Sequence, residues 1–235
     1  MGLERLFAKK IKMTSATRAN HLKKDQHNLL AKRKSTTMHR APLLQTIRSY
    51  QDTLLPYLIK MNLADPEEES QILSQIQAFV ESSPDCFDRR LLTGHVTGSA
   101  IVIHPDYNQV VLTLHAKLDL WLQLGGHCDN DPDVVAVAKK EVEEESGLKH
   151  VWIYPNSSAP IPIDFDIHSI PKYQDTPAHL HYDVRFLMRS RRADIKQSIE
   201  SHDLKWFNFA EAFKHTNTQS MKRLLTKAQH LQSNL

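Results

Sequence analysis

The chain predicts an α/β sandwich preceded by a helical segment, on three observations. β-branched runs in two-residue alternation lie on both sides of one helix, spanning 133–146 and stopped by Gly147. Helical spacing fills 42–82 before the first of these runs and returns after the last. Strands flanking one central helix, with helices at either end, supply enough amphipathic elements to cover both faces of a sheet.

Residues 1–40 stand apart by charge. They hold eleven Lys/Arg against Glu4 and Asp25, a net of +9, so the remainder carries −6 of the chain's +3. The expectation is a basic, solvated leader, with a targeting peptide or a nucleic-acid arm as its other uses. Met13 and Met38 leave a downstream start open. The leader is the only hint of nucleic acid.

From residue 42, Leu43, Leu44, Ile47, Tyr50, Leu54 and Leu55 recur at helical spacing until Pro56 interrupts the run. A second helix opens at Asp65 as N-cap and Pro66 as first residue, with Ile72, Leu73, Ile76, Phe79 and Val80 as its stripe. These two helices pack together, onto the next domain, or at a homodimer interface. "SSPDCFDRRLLTG" is a connector. "HVTGSAIVIHP" and "QVVLTLHA" read as a hairpin around the turn "PDYN", and "DLWLQLGG" as a further short strand. The 133–146 helix stops at Gly147. "HVWIYP", "PIDFDIHSIP", "HLHYDVRFLMRS" and "LKWFNF" read as four more strands, and 210–231 as one or two helices. The expected division is a leader at 1–40, a helical segment at 41–90 and a main domain at 91–235.

No apolar run approaches the ~20 residues that cross a bilayer, and the start lacks the apolar core of a secretory signal. Cys86 and Cys128 do not make a disulfide framework, so a reducing, cytoplasmic setting is expected.

The chemistry concentrates on the central helix. At 100° per residue, Val134, Val135, Ala138 and Val142 form one apolar arc. Glu141, Glu144 and Glu145 fall on the flanking arc, and Glu143 points elsewhere. Carboxylates this close repel and raise one another's pKa unless a cation sits among them. Oxygen ligands suit Mg²⁺, with Mn²⁺ second. A solvated acidic face is the plainer reading of such a helix. Against it stands the pair Gly125-Gly126, directly upstream and after a strand, which lets backbone approach an ion or phosphate closely.

Around that pair, histidines and acids repeat in strand phase. His127 follows the glycines. His179, His181 and Asp183 alternate on one strand, and Asp164, Asp166 and His168 repeat the pattern on the strand before. They are candidates to ring substrate phosphates or a metal, or else are polar faces of half-buried strands. No role is assigned to His95, His104, His115, His150 or His202. Cys128 shows no His partner in the sequence and is not expected to be a nucleophile. Trp121, Trp206 and Tyr182 are expected to pack rather than stack on a base.

Gly126, Glu141, Val142, Glu144, Glu145, Gly147 and Leu148 fall at the spacing of G-x5-E-x7-R-E-U-x-E-E-x-G-U, where U is bulky and aliphatic. The stretch resembles the Nudix box. "GHVTGSAIVI", "LDLWLQLGGHCD" and "HLHYDVRFL" are similar to a bacterial-type subgroup with a GGHxE-like signature and a helical N-terminal segment. The resemblance implies an α/β/α sandwich with a mixed sheet, and Mg²⁺-dependent cleavage of the phosphoanhydride bond of a nucleoside diphosphate linked to another moiety. It implies Glu144 and Glu145 as metal ligands, with Glu141 as a third ligand or orienting the attacking water. The Gly125 carbonyl completes the shell, and Glu200 is the candidate for a ligand or base outside the box. Gly126, His127, His179, His181 and Asp183 are the expected substrate contacts.

Two positions depart from the pattern. Pro132 stands where the family has its first Glu, between Asp131 and Asp133, and Lys140 stands where it has Arg. Lys keeps the charge and loses the planar fork. The departures keep a second class of function in view, a Nudix-fold nucleotide-binding or regulatory module with weakened catalysis. A diphosphate isomerase on the same fold would need a cysteine and a glutamate around the diphosphate, and nothing singles those out.

Overall fold

A computed structural model describes residues 39–116, 118–155, 160–199 and 201–234. Most of the basic leader, and Glu200, lie outside the described residues. Pro42–Leu235 forms one compact unit. This unit carries the sheet and the helices that cover it.

The N-terminal helices differ from expectation at Pro56. Residues 42–49 are α-helical (α1), Tyr50–Leu54 make a π-helical turn, and Leu55–Lys60 (α2) continues the helix through the proline. The wide turn ends where the proline, which has no N–H to donate, sits in the first turn of the next segment, so the run bends without stopping. Pro66–Ser82 (α3) starts as predicted, with the Asp65 carboxylate accepting from the backbone N–H groups of Glu67 and Glu68.

The sheet is mixed and has eight strands. Its spine is a parallel pair, β1 (Gly94–Ile103) and β7 (His179–Ser190), in register from Gly94↔Leu180 to Ile103↔Arg189. Each spine strand shares its outer edge between two shorter antiparallel strands. On β1 these are β4 (Leu124–His127) and β2 (Gln109–His115); on β7 they are β6 (Asp164–Ile170) and β5 (Val151–Ile153). The predicted hairpin of β1 and β2 is therefore short, pairing only at Val102↔Val111 and Ile103↔Val110, because β4 occupies the rest of that edge. β3 (Leu120–Leu122) and β8 (Ser201–Asn208) extend the sheet beyond β2.

Helix α4 (Val134–Ser146) lies where predicted, capped by the Asp133 carboxylate on Ala136 N–H at 3.0 Å and ended by Gly147 at φ +73°. Its buried face is Val134, Val137, Ala138 and Val142, with Val135 only half-buried. Gly98 and Gly126 face it: a Cβ on Gly98 would meet the Val134 carbonyl at 2.7 Å, so the helix approaches the strands closer than any side chain allows. The chain closes with two helices, α5 (Phe209–His215) and α6 (Gln219–Asn234). Apolar residues from α1 to α6 and from the sheet form one core, including Ile47, Leu73, Val102, Val142, Phe186 and Leu224.

A buried ionic network ties these layers together. The Arg185 guanidinium bonds Asp164 at 3.2 Å, Asp166 at 2.9 Å and Asp183 at 3.1 Å. Arg223 of α6 reaches Asp164 at 3.0 Å, Asp166 at 2.9 Å and Glu68 of α3 at 2.5 Å. Lys227 donates to Asp164 at 2.6 Å and to Glu69, and Tyr50 donates to the same glutamate at 2.9 Å. Three aspartates thus face three cations. Of the two glutamates that join them, Glu69 is pushed up by burial, which Lys227 only partly offsets.

Candidate active site

β4 brings the glycine pair under the acidic helix. Gly125 N–H points away from β1 and donates to Glu145 Oε2 at 2.9 Å. A Cβ on Gly126 would lie 2.6 Å from the Glu141 carboxyl carbon, so the absent side chain is what lets that carboxylate rest on the strand. A Cβ on Gly125 would lie 2.2 Å from Ser99 Cβ across the sheet. Each glycine is needed for close approach, one to the helix and one to β1.

The three carboxylates differ in exposure. Glu145 is nearly buried, the Glu141 side chain is 15% exposed, and Glu144 is 56% exposed. All three line one cavity of about 530 Å³, together with Gly125, Gly126, His127, His181 and Asp183. The Lys140 ammonium stands between two of them, 3.2 Å from Glu144 and 3.7 Å from Glu141. Its hydrogen bond to Glu144 raises its pKa. The donor set suits a hard divalent ion: three carboxylates line one cavity, and the Lys140 ammonium already neutralises two of them.

The loop that departs from the box pattern is held by its own acids. Asp131 accepts from Asp133 N–H at 2.9 Å, and Asp133 caps α4. The two aspartates flanking Pro132 thus tie the loop to the start of α4.

The floor of the cavity is polar and is organised around Asp183. Asp183 accepts from Thr97 at 2.9 Å, Ser99 at 2.7 Å, Gln123 at 3.0 Å and Arg185. With its oxygens committed in this way, Asp183 acts as a strut between β1 and β7. Above it, on the same strand face, His181 sits beside His95 and His127, with ring centroids 4.8 and 5.2 Å away. Burial pushes the His127 imidazole down to about 4, with Arg89 and His95 adding to the effect, so it is neutral near pH 7.

No family model matches this chain, and no curated protein does. Solved structures of similar fold include a NUDIX-family hydrolase from Clostridium perfringens, 22% identical over 59% of this chain and 96% of that one, TM-score 0.46. A C. elegans Ap4A hydrolase binary complex is 16% identical over 60% and 98%, TM-score 0.47. The NUDIX domain of Shewanella oneidensis NrtR, complexed with ADP ribose, is 15% identical over 57% and 86%, TM-score 0.43.

Of the predicted site residues, His179 is not among those lining the cavity; its Nδ1 meets the Pro177 carbonyl at 2.9 Å, while its ring stays 5.2 Å from His181. Asp164 and Asp166 belong to the ionic network, whereas His168 lines the cavity. Glu200 lies outside the described residues. Tyr182 stacks on Phe79 of α3 at 3.8 Å, and Trp121 packs edge-on against Phe207, as packing residues do. Burial pushes the Cys128 thiol well up, which removes it as a nucleophile. Among the described residues, none of the cavity lining comes from 42–82.

The sequence reading missed Arg89, Thr97, Ser99, Gln123 and His95. Alternation alone could have found three of them, since His95, Thr97 and Ser99 run in period two like His181 and Asp183. What it could not supply is the parallel register that sets His95 beside His181 and Thr97 beside Asp183.

Proposed function

We propose that this chain is a Nudix-type pyrophosphohydrolase, cleaving the phosphoanhydride bond of a nucleoside diphosphate joined to another group with a divalent cation, Mg²⁺ first and Mn²⁺ second. One observation carries the reading. The residues that match the box are also the ones that meet in space: Glu145 on Gly125, Glu141 against Gly126, and Glu144 open to the same cavity.

Glu144 and Glu145 would hold the cation, with Glu141 as a third ligand or the acceptor that orients the attacking water. A bound divalent ion neutralises phosphate charge and lowers the pKa of coordinated water. Arg89 and Lys140 line the cavity and supply positive charge for the outer phosphate oxygens. Water attacks phosphorus, the bridging P–O bond breaks, and the departing phosphate leaves as an anion.

The test is a screen of the purified full chain against nucleoside diphosphate derivatives, NADH, ADP-ribose, dinucleoside polyphosphates and mutagenic triphosphates, with Mg²⁺ and Mn²⁺ and product identification. The expected result is turnover of at least one compound, abolished in Glu144→Gln with an unchanged circular dichroism spectrum. Absence of product with every compound and metal would overturn it. A second reading, a nucleotide-binding module, is favoured by the Lys140 ammonium that already occupies Glu141 and Glu144. That reading expects binding of nucleoside diphosphates without product.

A further inference from the structure

Three imidazoles, two of them in the cavity lining, meet at one end of the β1–β7 spine. His95 comes from β1, His127 from the end of β4 and His181 from β7, and one ring nitrogen of each lies within 4.8 Å of the other two. Their convergence follows from register: His95 pairs with His181 across the parallel spine, and His127 pairs with Thr97, two residues along β1. The three strands thus present His95, His127 and His181 on one face of the sheet.

The group is not explained as packing. His95 is 2% exposed, and neither of its ring nitrogens makes a well-formed hydrogen bond among the described residues, although the Leu91 carbonyl lies beside the ring. His181 Nε2 is likewise buried with no hydrogen-bond partner among them. A buried polar atom left in that state destabilises the fold, and the site holds more than one. Something that accepts electron pairs from nitrogen would remove the cost. A metal ion bound by several neutral imidazoles at once is the acceptor the arrangement suits.

We propose that His95, His127 and His181 form a binding site for a borderline divalent transition metal, Zn²⁺ first, separate from the carboxylates of α4. Three imidazoles are a nitrogen-donor set, which Mg²⁺ shuns and Zn²⁺ favours. A tetrahedral Zn²⁺ with bonds of about 2.0–2.1 Å holds its ligand nitrogens ~3.4 Å apart. The ring nitrogens already lie within 4.8 Å of one another, on side chains that rotate about backbone positions set by three paired strands. His127 and His181 also line the cavity, so the ion's remaining position faces it. The ligand class for that position is an oxygen anion, either a substrate phosphate oxygen or water. His168 and His179 flank the group, oriented by Asp166 at 3.0 Å and by the Pro177 carbonyl.

The test uses the full chain with any affinity tag removed. The protein is loaded with Zn²⁺ or Co²⁺, exchanged into buffer containing excess Mg²⁺, and read by elemental analysis and by the visible spectrum of the Co²⁺ form. One Zn²⁺ per chain should be retained, with the intense d–d bands of low-coordinate Co²⁺. His127→Asn and His181→Asn should each lose both signals, and Glu144→Gln should keep both. Thermal unfolding of each variant shows whether it is folded, and a variant that is folded is decisive. Failure of the wild-type chain to retain Zn²⁺, or retention by folded His127→Asn, overturns the proposal. Loss in Glu144→Gln would place the ion among the carboxylates and overturn it equally, while leaving the hydrolase reading intact.

Discussion

Gly126 and Gly125 are adjacent and are both needed, yet their substitution should fail in different ways. An alanine at 126 meets the end of the Glu141 side chain at 2.6 Å, and that side chain can swing away. Gly126→Ala should therefore keep most of its stability and lose activity, on the order of 100-fold, as a displaced carboxylate loses its place. An alanine at 125 meets Ser99 Cα, a backbone atom, at 2.7 Å. Gly125→Ala should lose about 1–3 kcal/mol in urea unfolding. Equal stability of the two variants would contradict the packing described. At Lys140 the expectation runs the other way. Lys140→Ala removes the ammonium that neutralises Glu141 and Glu144. The half-saturating Mg²⁺ concentration should fall, because the ion no longer displaces a resident cation.

Helix α4 was legible in the sequence because its signals are local. Asp133, the apolar repeat and Gly147 lie within one short stretch, and each acts on its own neighbours. Asp133→Ala should cost about 1 kcal/mol of stability, measured by denaturation, since the Ala136 N–H at the helix start loses its acceptor. The strands were legible one by one, except that "DLWLQLGG", read as a single strand, is split into β3 and β4, which pair with different neighbours. Their pairing was not: the parallel β1–β7 spine joins segments far apart in the chain, and nothing in His95 itself announces His181. The π turn before Pro56 also escaped notice, because proline signals a break and does not say whether the helix ends there or merely widens.

At the scale of the molecule, the buried network should govern acid stability. Burial alone would raise Asp164 and Asp166, but Lys227, Arg223 and Arg185 outweigh it at Asp164, and Arg185 with His168 does so at Asp166, so both carboxyls are held low. Unfolded aspartate takes a proton near pH 3.9, and the folded pair takes one only at lower pH. The unfolded chain therefore binds more protons below about pH 4. Stability from this source is full above that value and is lost as pH falls through the folded values; denaturant midpoints at pH 3 and pH 6 would measure it. Lys227→Met removes a cation whose side chain is fully buried and should cost about 3–5 kcal/mol in the same assay, because Asp164 loses one of its three counterions. Network partners come from α1's continuation (Tyr50), α3 (Glu68, Glu69), β6, β7 and α6. That distribution bears on how the chain can be shortened. A fragment beginning at residue 91 would retain every acid of the box motif, yet it would strip Lys227 and Arg223 of their glutamates and uncover the outer face of Tyr182. Trimming to the recognisable motif-bearing region should give an insoluble product, and adding residues 42–90 back as a separate peptide should rescue it.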